Sequence, residues 1–179
     1  VVGHKSIGFQ NALFLNSTDA QASEPNLFNS TAPTSSVFTV GTGSLINDSG
    51  DSYIAYAFAE KTGYSKFGSY TGNGSTDGTF VYTGFKPAFV LLKSSSNSGW
   101  NWRLSDSTRD TFNSSTNKNL FPSSSDAEVT TEKDVDFLSN GFKLRTSGSG
   151  VNASGWTIIY MAFAEAPLVG TNNVPCTAR

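Results

Sequence analysis

Cysteine is almost absent from this chain of 179 residues, with Cys176 standing alone. One thiol cannot close an internal disulfide, and it cannot build a Cys-based metal site. A small secreted animal domain usually carries bridges, so a bacterial, phage or marine surface protein fits better. Histidine is equally scarce. His4 is the single one, near an end of the chain, whereas a Ser-His-Asp relay or a His-rich zinc site needs histidine among placed partners. Charge is low too, at 15% Asp, Glu, Lys and Arg against ~25% in an average globular protein. The formal net charge is −2, and no Lys/Arg cluster supplies the basic stripe of a nucleic-acid binder. No apolar run approaches the ~20 residues that cross a bilayer as a helix, and no segment reads as a signal peptide. The chain opens on Val1 rather than Met, as a processed, trimmed or incompletely read chain would. These absences argue against an enzyme, a metal or cofactor, a nucleic-acid partner and membrane insertion.

What is present is Ser, Thr, Asn and Gly, which favour turns and strand ends and are poor in helix interiors. Hydrophobic residues make up 37% and aromatics 13%, enough material for a core and too much for a disordered chain. Short apolar runs predict strands at Ser36–Val40, Tyr53–Ala59, Thr79–Tyr82, Ala88–Leu92, Phe142–Arg145 and Trp156–Ala164. Turn clusters such as GNGSTDG (Gly72–Gly78), SSSNSG (Ser94–Gly99) and SNG (Ser139–Gly141) separate them. Asn140-Gly141 signals a hairpin, because both residues tolerate φ > 0. Pro87 and Pro122 stand beside apolar runs, where they mark strand starts or edges. No helix longer than one or two turns is expected. Many short strands without helical connections predict an all-β fold: antiparallel β-sandwich modules, jelly-roll-like, in tandem.

The tandem expectation comes from an internal repeat. Gly50–Glu60 (GDSYIAYAFAE) aligns with Gly155–Glu165 (GWTIIYMAFAE), six of eleven positions being identical at an offset of 105. Leu13-Phe14 and Asp19-Ala20 match Leu120-Phe121 and Asp126-Ala127 at an offset of 107. Ordered matches at nearly one spacing are the signature of duplication. The reading is an incomplete first copy (1–60), a connection (61–67), a complete second copy forming a sandwich (68–165) and a tail (166–179). The first copy lacks about forty residues at its front, by the same alignment. Half a sandwich has an open edge and an uncovered apolar face. It must be completed by the second copy, another subunit or preceding sequence, and the latter two are favoured.

Few residues carry chemistry. Glu132, Asp134 and Asp136 alternate with Lys133, Val135 and Phe137. On a strand this puts three acids on one face, read as a solvated face ahead of a calcium site or a catalytic pair. Glu60 and Glu165 are equivalent repeat positions, which suggests a structural role such as bonding a turn backbone. The GNGSTDG loop offers oxygen ligands but a single carboxylate, Asp77, and no EF-hand order, so it reads as a turn. Arg103, Arg109 and Arg145 could pair with Asp106, Asp110 and Asp136, mostly structurally. Six N-x-S/T sequons, at Asn16, Asn29, Asn47, Asn73, Asn113 and Asn152, exceed chance too little to argue for glycosylation. Aromatics give the best binding signal, since Trp and Tyr can stack on sugar rings. Trp102 and Trp156 read as core residues. Trp100, following a Ser-rich turn, reads as exposed. With Tyr70, Asn73 and Asp77 it forms the candidate glycan-binding set.

Several stretches carry a resemblance: Tyr64–Lys93 (YSKFGSYTGNGSTDGTFVYTGFKPAFVLLK), Val135–Thr146 (VDFLSNGFKLRT), Asn152–Glu165 (NASGWTIIYMAFAE), and HKSIG…ALFLNSTDA with TAPTSSVFTVGT in the first copy. Together they resemble a repeated β-rich domain at the C-terminal end of tail-fibre-like virion proteins of marine bacteriophages. The ending AEAPLVGTNNVPCTAR resembles that family's terminus, which implies that Arg179 is a native C-terminus. The resemblance implies a virion-surface module that binds host surface polysaccharide, assembled as a homo-oligomer beside other virion proteins. It brings no catalytic residue and no cofactor. A capsid decoration or head-fibre protein is the second expectation, and a polysaccharide depolymerase the third.

Overall fold

The computed structural model describes residues 1–109, 113–148 and 150–166. Asp110, Cys176 and Arg179 lie outside the described residues. Within them run β1 (Asn11–Ala12), β2 (Ala22–Ser23), one helical turn α1 (Ser44–Asn47), β3 (Ser65–Thr71), β4 (Phe80–Tyr82), β5 (Pro87–Ser94), β6 (Arg103–Asp106), β7 (Asn117–Asn119), β8 (Val129–Glu132), β9 (Val135–Leu138), β10 (Gly141–Leu144) and β11 (Thr157–Ala164). The fold is all-β, and its pairings are antiparallel.

A four-stranded sheet, in the order β3-β11-β5-β6, packs on a three-stranded sheet, β4-β10-β9. The core between them holds Tyr70, Val90, Leu92, Ile158, Tyr160 and Ala162 from the first sheet. Val81, Val135, Phe137, Phe142 and Leu144 come from the second. Burying each large side chain contributes roughly 1.5–3 kcal/mol. Phe142 sets its ring edge-on to both Tyr70 and Tyr160, at 6.2 and 5.5 Å between centroids.

The opposite face of the four-stranded sheet is covered as well. Ile7 and Leu13, with Val2 beside them, close over Ile159, Leu91 and Trp102. The front of the first copy therefore docks on the second copy, the completion that was less favoured from sequence. Burial on both faces explains why β11 reads TIIYMAFA with no polar alternation. A central strand covered twice has no solvent face to mark with polar residues.

Four predicted strands are present as β4, β5, β10 and β11, and Pro87 opens β5 as expected. The hairpin near Asn140-Gly141 is present too, for a different reason. Ser139 and Asn140 form the turn, and Gly141 already pairs with Leu138 at the start of β10 without a positive φ. Gly141 is required instead by close approach, since a Cβ there would lie 2.1 Å from the Val81 carbonyl oxygen.

Two expected strands are absent. Ser36–Val40 and Tyr53–Ala59 form no strand, and residues 31–60 are almost wholly exposed. Among the described residues, residues 65–164 build one sandwich, and residues 1–60 hold β1, β2 and α1. An apolar alternation becomes a strand only when a neighbour completes its ladder, and the first copy holds no such neighbour. Conversely, β3 falls in what reads as a Gly/Ser/Lys-rich connection. Its partner β11 imposes strand geometry along all seven residues, from Ser65↔Phe163 to Thr71↔Thr157.

Candidate functional site

The site is a cleft of about 280 Å³ lined by Trp100, Arg103, Glu132, Lys133, Asp134, Thr146 and Gly148. Trp100 precedes β6 and is fixed from several sides. Its amide donates to the Thr18 carbonyl at 3.3 Å, and its carbonyl accepts from Lys93 Nζ at 2.7 Å. Its ring leans on Trp156 at 6.0 Å, inclined by 60°. Gly150, at φ +99°, lets the backbone press on the same ring; a Cβ there would meet it at 3.0 Å. Trp100 stays half-buried, so part of its ring faces the cleft.

Lys93 anchors this corner. It is fully buried, and it also donates to the Thr18 carbonyl at 2.9 Å. Burial pushes its ammonium pKa down to about 8, against a small upward pull from Asp19.

The opposite wall is charged. Arg103, at the start of β6, donates through Nη1 to Asp134 at 2.6 Å and to Glu132. Its guanidinium also lies 5.4 Å from the Phe121 ring centroid. Asp134 is buried, and it accepts from Asn119 Nδ2 at 2.9 Å while its backbone amide donates to Asn117 Oδ1 at 2.6 Å. Burial raises the Asp134 carboxyl pKa, and Arg103 pulls against it. Burial works against the Arg103 charge in turn, and the two carboxylates outweigh it, so its pKa is raised.

The three alternating acids are therefore not one solvated face. The chain leaves β8 at Glu132 and enters β9 at Val135, so the two residues between cross from one sheet to another. Asp134 and Asp136 are both buried. Asp136 is held by Lys133 at 2.7 Å and Arg145 at 2.5 Å. Arg145–Asp136 is a pair the sequence suggested. Arg103 instead chooses Glu132 and Asp134, and Arg109 bonds Asp106 and Glu128.

Of the four residues expected to bind glycan, the cleft gathers Trp100 alone. Tyr70 is a correction. It is 8% exposed within the core, and its hydroxyl donates to the Val151 carbonyl at 2.7 Å. That ring has no face to offer a sugar, because alternation along β3 turns it inward. Burial, then the nearby Asp134 charge, raise its pKa well above the ordinary tyrosine value. Asn73 is used internally: its Oδ1 accepts from Asn152 Nδ2 at 2.9 Å and its Nδ2 donates to the Asp77 carbonyl at 3.1 Å. Asn152, fully buried, also donates to the Ser75 and Thr146 carbonyls. The GNGSTDG loop is thus wound around one asparagine and joined through it to Thr146 on the cleft wall. Asp77 is exposed and paired with Lys143 at 2.6 Å, which lowers its carboxyl pKa.

Arg103, Glu132, Lys133, Asp134, Thr146 and Gly148 were not expected in a glycan site. The acidic alternation was the one signal that pointed towards them. His4 approaches the Tyr160 carbonyl at 3.3 Å, and burial lowers its pKa. Glu60 does bond a backbone, accepting from the Phe67 amide at 3.1 Å. Among the described residues, no group of three His, Cys, Asp or Glu side chains could hold a metal ion, and no helix is long and apolar enough to cross a membrane.

What the cleft offers is a fixed indole face beside a row of charged hydrogen-bonding groups. No curated protein and no solved structure matches the chain. Residues 1–167 match the family model described as "Domain of unknown function (DUF7483)", and the chain belongs to that family.

Proposed function

We propose that this chain is a virion-surface adhesion module of a bacteriophage, associated with a tail fibre, and that its cleft binds host surface glycan. The observation that carries the binding reading is the lining of one cleft by Trp100 together with Arg103, Glu132 and Lys133. A pyranose presents an apolar face and a ring of hydroxyls. A half-buried indole suits the first, and carboxylate and cationic groups suit the second. The virion setting rests on the sequence resemblance. Weak single sites would gain strength from many copies on one particle.

Binding is favoured over cleavage. Glycoside hydrolysis needs two carboxyl groups placed on either side of the scissile bond, whereas Glu132 and Asp134 share one guanidinium. The second reading, a capsid decoration or head-fibre protein, draws on the exposed apolar run from Val37 to Phe58, which suits attachment to other virion proteins.

The test is calorimetric titration of purified chain with host surface polysaccharides, for wild type and Trp100→Ala. The variant should keep its unfolding temperature within a few degrees and bind about tenfold more weakly or worse, equivalent to about 1.4 kcal/mol. Unchanged binding by the variant would remove the cleft from the site. Immunogold label on the head rather than the tail would replace the tail-fibre reading with the decoration one.

A further inference from the structure

We infer that Tyr53–Ala59 is a donor strand, which completes itself on the sheet edge of a second copy of this chain. The inference is independent of glycan binding.

The repeat gives the segment its meaning. Ile54, Ala57, Phe58 and Ala59 are the same residues as Ile159, Ala162, Phe163 and Ala164 of β11. In β11 those residues stand in a ladder between β3 and β5, with both faces covered. In the first copy Ile54 is 83% exposed and Tyr56 81%, and Tyr53 and Phe58 are also exposed. With Val37, Phe38, Val40 and Leu45 they make eight exposed large apolar side chains between residues 37 and 58. A surface of that kind marks a contact, and a strand sequence with no ladder marks strand addition.

The acceptor is β3. Of the two outer strands of the four-stranded sheet, β6 is bordered by a bridge from Leu104 to Leu120, whereas β3 meets, among the described residues, the bridge from Lys61 to Ser65 and the Thr79 hydroxyl, which donates to the Thr71 carbonyl. Antiparallel pairing with β11 turns alternate amides and carbonyls of β3 outward along the rest of its length. The chain's own segment meets that edge only at its end, where the Phe58 ring lies 6.4 Å from Phe67 and 5.8 Å from Phe163 between centroids. At the rung where a hairpin would continue, Ser65 Oγ takes the Ala59 carbonyl and the Glu60 carboxylate takes the Phe67 amide. Glu60 is held by an exposed ion pair to Lys5, a cap that contributes little and is easily displaced.

Charge selects a second copy as the occupant. Lys61 and Lys66 lie at the acceptor edge, and Asp48 and Asp51 lead into the donor. Asp48 and Asp51 of one chain are thus complementary to Lys61 and Lys66 of another. Reciprocal donation closes a symmetric pair or ring.

The test is light scattering coupled to size exclusion of the full chain at rising concentration, with hydrogen exchange on residues 53–59. Wild type should reach a mass of at least two chains, with protection appearing in that segment. Ala55→Pro and Tyr56→Asp alter residues outside the folded core, so the variants should keep the wild-type unfolding transition of dilute chain and stay monomeric. Ser69→Glu, an exposed change on the acceptor edge, should weaken association at least tenfold. A wild type that stays monomeric, or a donor variant that assembles normally, would overturn the inference. Assembly unaffected by Ser69→Glu would overturn β3 as the acceptor.

Discussion

Gly50–Glu60 and Gly155–Glu165 share six of eleven residues and stand in two conditions. The second is the central strand of a sandwich, with Ile158 and Ala162 excluded from solvent. The first forms no strand, and its isoleucine is 83% exposed. Both segments are apolar and end on the same AFAE, so apolar content by itself does not decide the outcome. The difference lies in the neighbours. β11 has a strand on each side, a facing sheet on one surface and the docked N-terminal segment on the other. A strand is a property of a ladder, and its sequence is only an eligibility for one.

The contrast should break most sharply at buried charge. Asp134→Ala leaves Arg103 without its buried partner and should cost about 3–5 kcal/mol in urea unfolding. Glu60→Ala, which removes the exposed ion pair at the end of the first copy, should cost less than about 1 kcal/mol. Equal effects would mean that the second copy is no better packed than the first.

The paired isoleucines give the next largest effect. Ile159→Ala should cost about 3 kcal/mol, from lost transfer energy and a residual cavity. Ile54→Ala, measured in dilute solution, should stay within about 0.5 kcal/mol of wild type.

Lys93 sharpens the comparison where the copies meet, because it bonds Thr18 of the first and Trp100 of the second. Lys93→Met should cost about 2 kcal/mol by leaving both carbonyls without this donor. Its pKa is depressed in the folded chain to about 8 from an ordinary 10.5. The folded state therefore binds fewer protons between those values, and the stability Lys93 contributes grows as pH rises from 8 to 10.5. It is lost as pH falls through 8. Wild type should gain on Lys93→Met over that range in thermal melts, and a pH-independent gap would contradict the depressed value.

The smallest effect concerns Glu60, whose carboxyl pKa is lowered. Burial, the largest single influence, opposes that shift, and the Lys5 and Phe67 hydrogen bonds together with the Lys5 and Lys66 charges outweigh it. Its contribution should be present above about pH 4.5 and fade as pH falls through the lower folded value. Glu60→Gln should flatten that part of the acid-unfolding curve.

Legibility in the sequence followed burial. β5 and β11 were readable because the four-stranded sheet is covered on both faces, so its inner strands are apolar runs. β3 was hidden because it is an outer strand, where Lys66, Gly68 and Ser69 suffice once β11 supplies the ladder. β7 was hidden because Asn117, Lys118 and Asn119 carry no apolar signal; its asparagines serve Asp134 and Ser105 through hydrogen bonds. At the site, Trp100 could be picked out because a Ser-rich turn precedes it. Its neighbours could not, because the cleft joins β6 to the crossing at Lys133–Asp134 and to Thr146 across three separate stretches of chain.

The sequence by itself determined the β class, the turns and the inner strands, because alternation and turn residues are local or additive signals. Tertiary structure alone decided that only one copy closes into a sandwich, that the front of the other copy covers it, that Tyr70 faces inward and that Arg103 gathers two carboxylates. Each of those outcomes depends on which surfaces meet, and a buried charge or an unpaired strand edge acquires its energy only from the partner it finds there.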